Sequence, residues 1–139
     1  MRTMLSLFAT LLLLASPLRS DAQAGASPAP GMGTVTVFRS SDDNGSAYYL
    51  TYQNQTLARL KSGNYVEFQL PEGRQYLLAD PKAERLYSLE VKAGAKHYVE
   101  VVTSGNLLRR LPGMVTATAA EFESIRSSLK KIPVREKTP

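Results

Sequence analysis

The sequence predicts an all-β domain, a seven-stranded antiparallel β-sandwich closed by one C-terminal amphipathic α-helix. Three observations predict it. Between Thr34 and Thr103 apolar and polar residues alternate in short runs, the period of two that half-buried strands need. Turn-forming clusters punctuate those runs: Ser40 to Gly45, Pro71-Glu72-Gly73 and Lys92-Ala93-Gly94. A set of about seven short strands at such spacing argues for two packed sheets. Near the C-terminus the apolar period changes to steps of three and four, through Phe122, Ile125, Leu129 and Ile132, the signature of a helix with one buried stripe.

Ahead of the strands lies a segment of a different kind. Met1-Arg2 gives a short positive start, Leu5 to Ala15 is an almost unbroken apolar run, Pro17 breaks it, and Ala22 and Ala24 supply small residues at the −3 and −1 positions. This is the pattern of a secretory signal peptide over residues 1–24, cleaved after Ala24. The run is eleven residues long, against the roughly 20 that a membrane-spanning helix requires. The expected location is therefore periplasmic or secreted. Residues 25–33, GASPAPGMG, carry no charge and are rich in Gly and Pro, a composition that cannot offset its ordering entropy by burial. They read as a flexible linker to a domain spanning residues 34–132, with a basic disordered tail over 133–139. Cysteine is absent, which removes disulfides, thiol chemistry and a lipid-attachment cysteine. The fold must rest on its own core.

The strands come in order along the chain. Thr34 to Arg39 opens the sheet with its β-branched residues, and Ser46 to Gln53 places Tyr48, Leu50 and Tyr52 on one face. Asn54-Gln55 connects it to Thr56 to Lys61. Asn64 to Leu70 has Val66, Phe68 and Leu70 on one face and Tyr65, Glu67 and Gln69 on the other. Pro71-Glu72-Gly73 turns the chain, and Arg74 to Asp80 returns beside it, so that 64–80 reads as a central hairpin. Its second strand is apolar on both faces and is expected to be covered on both. Arg85 to Val91 and Ala95 to Thr103 complete the set, the latter with Val99 and Val101 opposite Tyr98, Glu100 and Val102. The helix is expected over Ala119 to Lys131, with Thr118 as N-cap and Glu121 three residues on as the other half of a capping box. Arg126, Lys130 and Lys131 lie off its stripe, near the end that favours cations.

The stretches VTVFR, LTYQNQ, NYVEFQLPEG and LEVKAGAKHYVEV together resemble the DUF2846 family of bacterial envelope proteins. The likeness covers roughly Val35 to Glu123 and rests on strand and turn signatures. It implies an immunoglobulin/PEGA-like sandwich in the cell envelope and carries no activity. Asn54-Gln55 stands where such proteins usually have Asp-Gly, and the lipid-attachment cysteine that often begins them is missing here.

Chemistry requires a constellation, and none is selected by the residues. His97 is the single histidine, on a strand face with Val99 and Val101, so a packing or hydrogen-bonding role is expected of it. One histidine without cysteine does not make a typical zinc site. Asp42-Asp43-Asn44-Gly45 lacks the ligand alternation and distal glutamate of a calcium loop. No catalytic, cofactor or metal site is therefore assigned. Glu67, Glu72, Glu84, Glu90 and Glu100 are scattered; a pair among them would make the alternative reading, a small secreted hydrolase.

The seven tyrosines suit cross-strand packing, with Tyr49, Tyr65 and Tyr98 expected to point outward as the ligand-facing ones. Charge is unevenly placed. Residues 34–105 carry eight basic and eight acidic side chains, while residues 106–139 carry seven basic against three acidic. An exported chain seldom meets nucleic acid, so its basic end suggests an anionic surface, weakly contacted through Arg126, Lys130 and Lys131. The function expected is that of an exported, non-enzymatic domain that binds or supports another envelope component, an unidentified protein, glycan or lipid surface.

Overall fold

The computed structural model describes residues 28–83, 85–106 and 109–135. The leader expected over 1–24, the first linker residues, Glu84 and residues 136–139 of the tail lie outside them. Among the described residues the chain forms nine strands and one short helix: β1 (Met32–Phe38), β2 (Tyr48–Tyr52), β3 (Gln55–Leu60), β4 (Asn64–Pro71), β5 (Gly73–Leu77), β6 (Tyr87–Val91), β7 (Lys96–Asn106), β8 (Arg109–Ala117), α1 (Ala119–Ile125) and β9 (Lys130–Lys131). The strand content confirms a β-rich fold, but the count of seven and the purely antiparallel pairing are corrected. A five-stranded sheet runs in the order β8-β7-β1-β4-β9, and in it β1 pairs with β7, and β4 with β9, in parallel. Two hairpins, β2-β3 and β5-β6, form separate two-stranded sheets, joined through an antiparallel bridge between Thr51 and Leu78.

The expected central hairpin over 64–80 does not form. β4 pairs with β1, Val35 opposite Phe68 and Val37 opposite Val66, while β5 pairs with β6. Pro71-Glu72-Gly73 is therefore a corner that carries the chain from the large sheet to a hairpin. Gly73 takes φ 115° there, a value L side chains rarely adopt. A corner of this kind and a hairpin turn need the same residues, so local sequence does not separate them. The tight two-residue turn lies between β2 and β3, where Gln53 and Asn54 both take positive φ, 49° and 61°, as a hairpin turn matching strand twist requires. It falls one residue before the expected Asn54-Gln55, with Asn54 at its second position, where asparagine tolerates positive φ better than most side chains.

The core lies where the large sheet faces the hairpins. Val35 and Val37 of β1, Val66 of β4, and Val99 and Val101 of β7 meet Leu50 of β2, Leu60 of β3, Leu77 of β5 and Val91 of β6, all essentially inaccessible. Alternation along these strands selects this set, as the sequence implied. β5 departs from expectation: Leu77 is buried but Tyr76 is 49% exposed, so that strand is covered on one side only. β1 begins at Met32, inside the expected linker, and Gly31 O accepts from Glu72 N–H at 2.9 Å.

The opposite face of the large sheet is partly covered by α1. Its capping box is present: Glu121 N–H donates to Thr118 Oγ1 at 3.1 Å and Thr118 N–H to Glu121 Oε2 at 2.7 Å. Phe122, 4% exposed, rests on Phe38, Tyr65 and Tyr98 with ring centroids 5.3, 5.1 and 5.4 Å away. The helix is shorter than the expected Ala119 to Lys131. It ends at Ile125 and tightens into a 3-10 turn, Arg126–Ser128. Leu129 is extended, and the edge of β4 captures the residues after it, Lys130 N–H donating to Gly63 O at 2.8 Å and Ile132 N–H to Tyr65 O at 2.9 Å. Sheet-edge hydrogen bonds satisfy the backbone as a helix would, and they let Ile132 reach the main core while Leu129 stays under the helix. Pro133 to Arg135 continue along the surface: Val134 packs on the core and Arg135 N–H donates to Leu57 O at 2.7 Å. The expected tail is thus partly attached. Among the described residues no helix is long and apolar enough to cross a membrane.

Candidate functional site

At the C-terminal end of β1 the loop Ser40–Ala47 folds over Arg39, whose side chain is completely buried. Its Nε donates to Asp43 Oδ2 at 2.8 Å, and Nη1 donates to Ser46 O at 2.7 Å and Leu60 O at 3.1 Å. The guanidinium carbon lies 4.3 Å from the centre of the Tyr48 ring. Thr103 Oγ1 of β7 donates to Asp43 Oδ2 at 3.1 Å. That commits the single Thr103 proton, so the Tyr48 hydroxyl, 2.8 Å away, is the donor to Thr103. Among the described residues one buried side-chain polar atom has no partner, Arg39 Nη2. An unpaired buried donor is costly, about 1–3 kcal/mol and more for a charged group.

Gly45 stands beside that atom. It has φ 152°, and a Cβ added to it would lie 3.3 Å from Arg39 Nη2 and 3.8 Å from Arg110 Nη1. Arg110, on β8, also donates from Nη1 to Asn44 O at 2.8 Å. Two guanidinium groups therefore converge on one side of Gly45.

Gly45 and Arg110 form one end of a hollow of about 540 Å³, lined further by Tyr48, Tyr49, Pro81 and Pro112. A second hollow of about 400 Å³ continues from it, sharing Leu111 and Pro112 and extending to Leu86, Tyr87 and Met114. Together they make a trough along β8. That strand is the edge of the large sheet and, among the described residues, pairs only with β7. Large apolar groups are left accessible in it, Leu86 61% and Tyr49 38% exposed. The carboxylate of Asp80, 6% exposed, also lines it but is spent on structure, accepting from Tyr49 N–H and Lys82 N–H at 2.9 Å each.

The expected ligand-facing tyrosines separate. Tyr49 points outward into the trough. Tyr65 is corrected: it is 8% exposed because the face it occupies, although opposite Val66, is the one Phe122 covers. Tyr98 is half-buried at the same seat. The expected cationic trio is dispersed as well. Arg126 Nη1 donates to Glu123 Oε1 at 3.2 Å, and the Tyr65 hydroxyl and then the Glu123 carboxylate raise the guanidinium above its ordinary pKa. Lys130 and Lys131 are exposed on β9 rather than on a helix, and successive strand residues face opposite sides.

His97 Nε2 accepts from Lys92 N–H at 3.1 Å, tying the β6-β7 turn. Glu100, on β7, has its carboxyl raised above the ordinary range, first by partial burial and then by the charges of Glu121 and Asp43. Among the described residues no group of three His, Cys, Asp or Glu side chains is placed to hold a metal ion. The trough was missed in the sequence because Arg109 to Ala117 carries Pro112-Gly113 and reads as a broken, basic segment. Proline is tolerated in a strand that has one free edge. The arginine ending β1 was the available signal, a charge at the close of an otherwise apolar strand. No family model, no curated protein and no solved structure matches this chain.

Proposed function

We propose that this chain is an exported, non-enzymatic domain of the bacterial cell envelope, an immunoglobulin/PEGA-like sandwich that binds another envelope component through the trough along β8. The trough carries the reading. It leaves tyrosine, leucine and proline surfaces accessible, the apolar character of binding sites, while the carboxylates nearest it, Asp43 and Asp80, are committed to hydrogen bonds that hold the fold. Export is supported by the leader pattern of residues 1–24, and the envelope by the resemblance to DUF2846 proteins.

The test is fractionation with in-cell photocrosslinking. A photoreactive residue at Tyr49 should give one dominant adduct in the envelope fraction, and the same group at Lys92, exposed at the β6-β7 turn, should not. The mature N-terminus should be Gly25. Recovery of the uncleaved chain from the cytoplasm, or identical adducts from both positions, would overturn the proposal.

A further inference from the structure

Resting on that reading, we infer that the component held in the trough is an acidic extended segment of another protein, added as a strand to the edge of β8 beneath a rim of cations. The first observation is where the hollows lie. Successive strand residues face opposite sides of a sheet, yet Leu111 and Gly113 line the trough together with Pro112 and Met114. Space that touches both parities wraps the edge of a strand rather than one of its faces.

The second observation is which backbone groups point there. In an antiparallel ladder, pairs that exchange two hydrogen bonds alternate with pairs that exchange none. Pro112 stands opposite Thr103 and has no N–H, which suits a pair that exchanges none. Ser104 Oγ donates to Leu111 O at 3.5 Å, so that carbonyl faces β7. Alternation then turns the backbone groups of Arg110, Pro112, Met114 and Thr116 outward. Each offers a carbonyl, and each but Pro112 an N–H. Among the described residues no backbone bond reaches β8 from outside the β7 ladder, so these groups are available to an added strand.

Charge supplies the third observation. Lys82, Arg85 and Arg110 line the trough and are exposed. The one carboxylate among the described lining residues is that of Asp80, buried and accepting two backbone N–H groups. An apolar wall that includes Tyr49, Leu86 and Met114, bordered by exposed cations, fits a chain in which apolar and acidic side chains alternate. The same features argue against a second copy of this chain as the occupant. Two β8 edges laid together would carry two prolines in one ladder and bring like cations close to one another.

The probe is the peptide Val-Glu-Val-Asp-Val-Glu-Val, acetylated and amidated so that its charges are side-chain carboxylates alone, titrated into the purified protein beside the analogue with lysine at the acidic positions. The acidic peptide is expected to bind roughly tenfold or more tightly, the size of a few exposed charge pairs, and to weaken as salt rises. N-methylation of alternate residues tests the strand pairing: methyl groups on the N–H groups that face β8 should abolish binding, while those on the other parity should leave it unchanged. The double change Lys82→Glu and Arg85→Glu, at exposed positions, should reverse the preference in favour of the lysine peptide with little change in melting temperature. Equal binding of the acidic and lysine peptides would overturn the inference. So would an equal effect of the two methylated parities, the mark of a polyanion held by charge alone. If neither peptide binds while a photoreactive residue at Tyr49 still captures a partner in cells, strand addition falls and the binding reading stands. If Tyr49 captures nothing either, both readings fall.

Discussion

Where β1 ends, the two faces of the large sheet are finished in opposite ways. On the helix face Phe38, Tyr65 and Tyr98 receive Phe122 in a seat of four rings, with no buried polar group left over among them. One residue past Phe38, Arg39 is buried more completely than any of those rings, and one of its nitrogens goes without a partner. The first arrangement is what packing alone favours. The second keeps a cation with one unpaired nitrogen beneath the loop Ser40–Ala47, where an apolar side chain would avoid the cost of burying charge.

The largest effect should come from the helix seat. Phe122→Ala removes the ring that three aromatics enclose and is expected to cost about 3–5 kcal/mol, read as a lower midpoint in urea. A small loss would mean that α1 contributes little to the domain.

Arg39→Met sharpens the contrast from the other side. It deletes three hydrogen bonds and leaves Asp43 without its cation, but it also removes the orphaned nitrogen, so the net loss should be about 3 kcal/mol, the low end for removing one partner of a buried pair. A loss well above that of Phe122→Ala would show that the unpaired nitrogen costs the fold little.

The smallest effect concerns Glu100, on β7 beside Phe38. Its carboxyl pKa is raised by burial and by Glu121 and Asp43. A carboxyl whose folded pKa lies above its unfolded value favours the fold while protonated, and that contribution is lost as pH rises through the folded pKa. Glu100→Gln should therefore raise the melting temperature modestly at pH 7, and the difference should disappear below about pH 4, where both states bind the proton. A gain that persisted at low pH would point to packing rather than charge.

Much of the candidate site was legible only in pieces. Tyr49 was expected to face outward and does, since residue parity on a strand is a local property. Tyr65 obeyed the same parity yet is buried, because parity names a face and cannot say what covers it. Arg39 and Arg110 lie far apart in the chain, and the loop that joins them through Asn44 and Gly45 reads as a solvated turn.

By itself the sequence determined the β-rich class, the inward set Val35, Val37, Val66, Val99 and Val101, and the Thr118-Glu121 capping box. These arise from backbone period and from contacts three residues apart. Tertiary structure alone decided which strands pair, that Pro71-Glu72-Gly73 turns between sheets, that β8 exists despite Pro112, and that Lys130 and Lys131 leave the helix for the edge of β4. The reason is common to all four. A backbone N–H and C=O must be paired wherever the chain is buried, helix, hairpin and sheet edge satisfy them almost equally, and the choice is made by whichever partner the rest of the fold brings alongside.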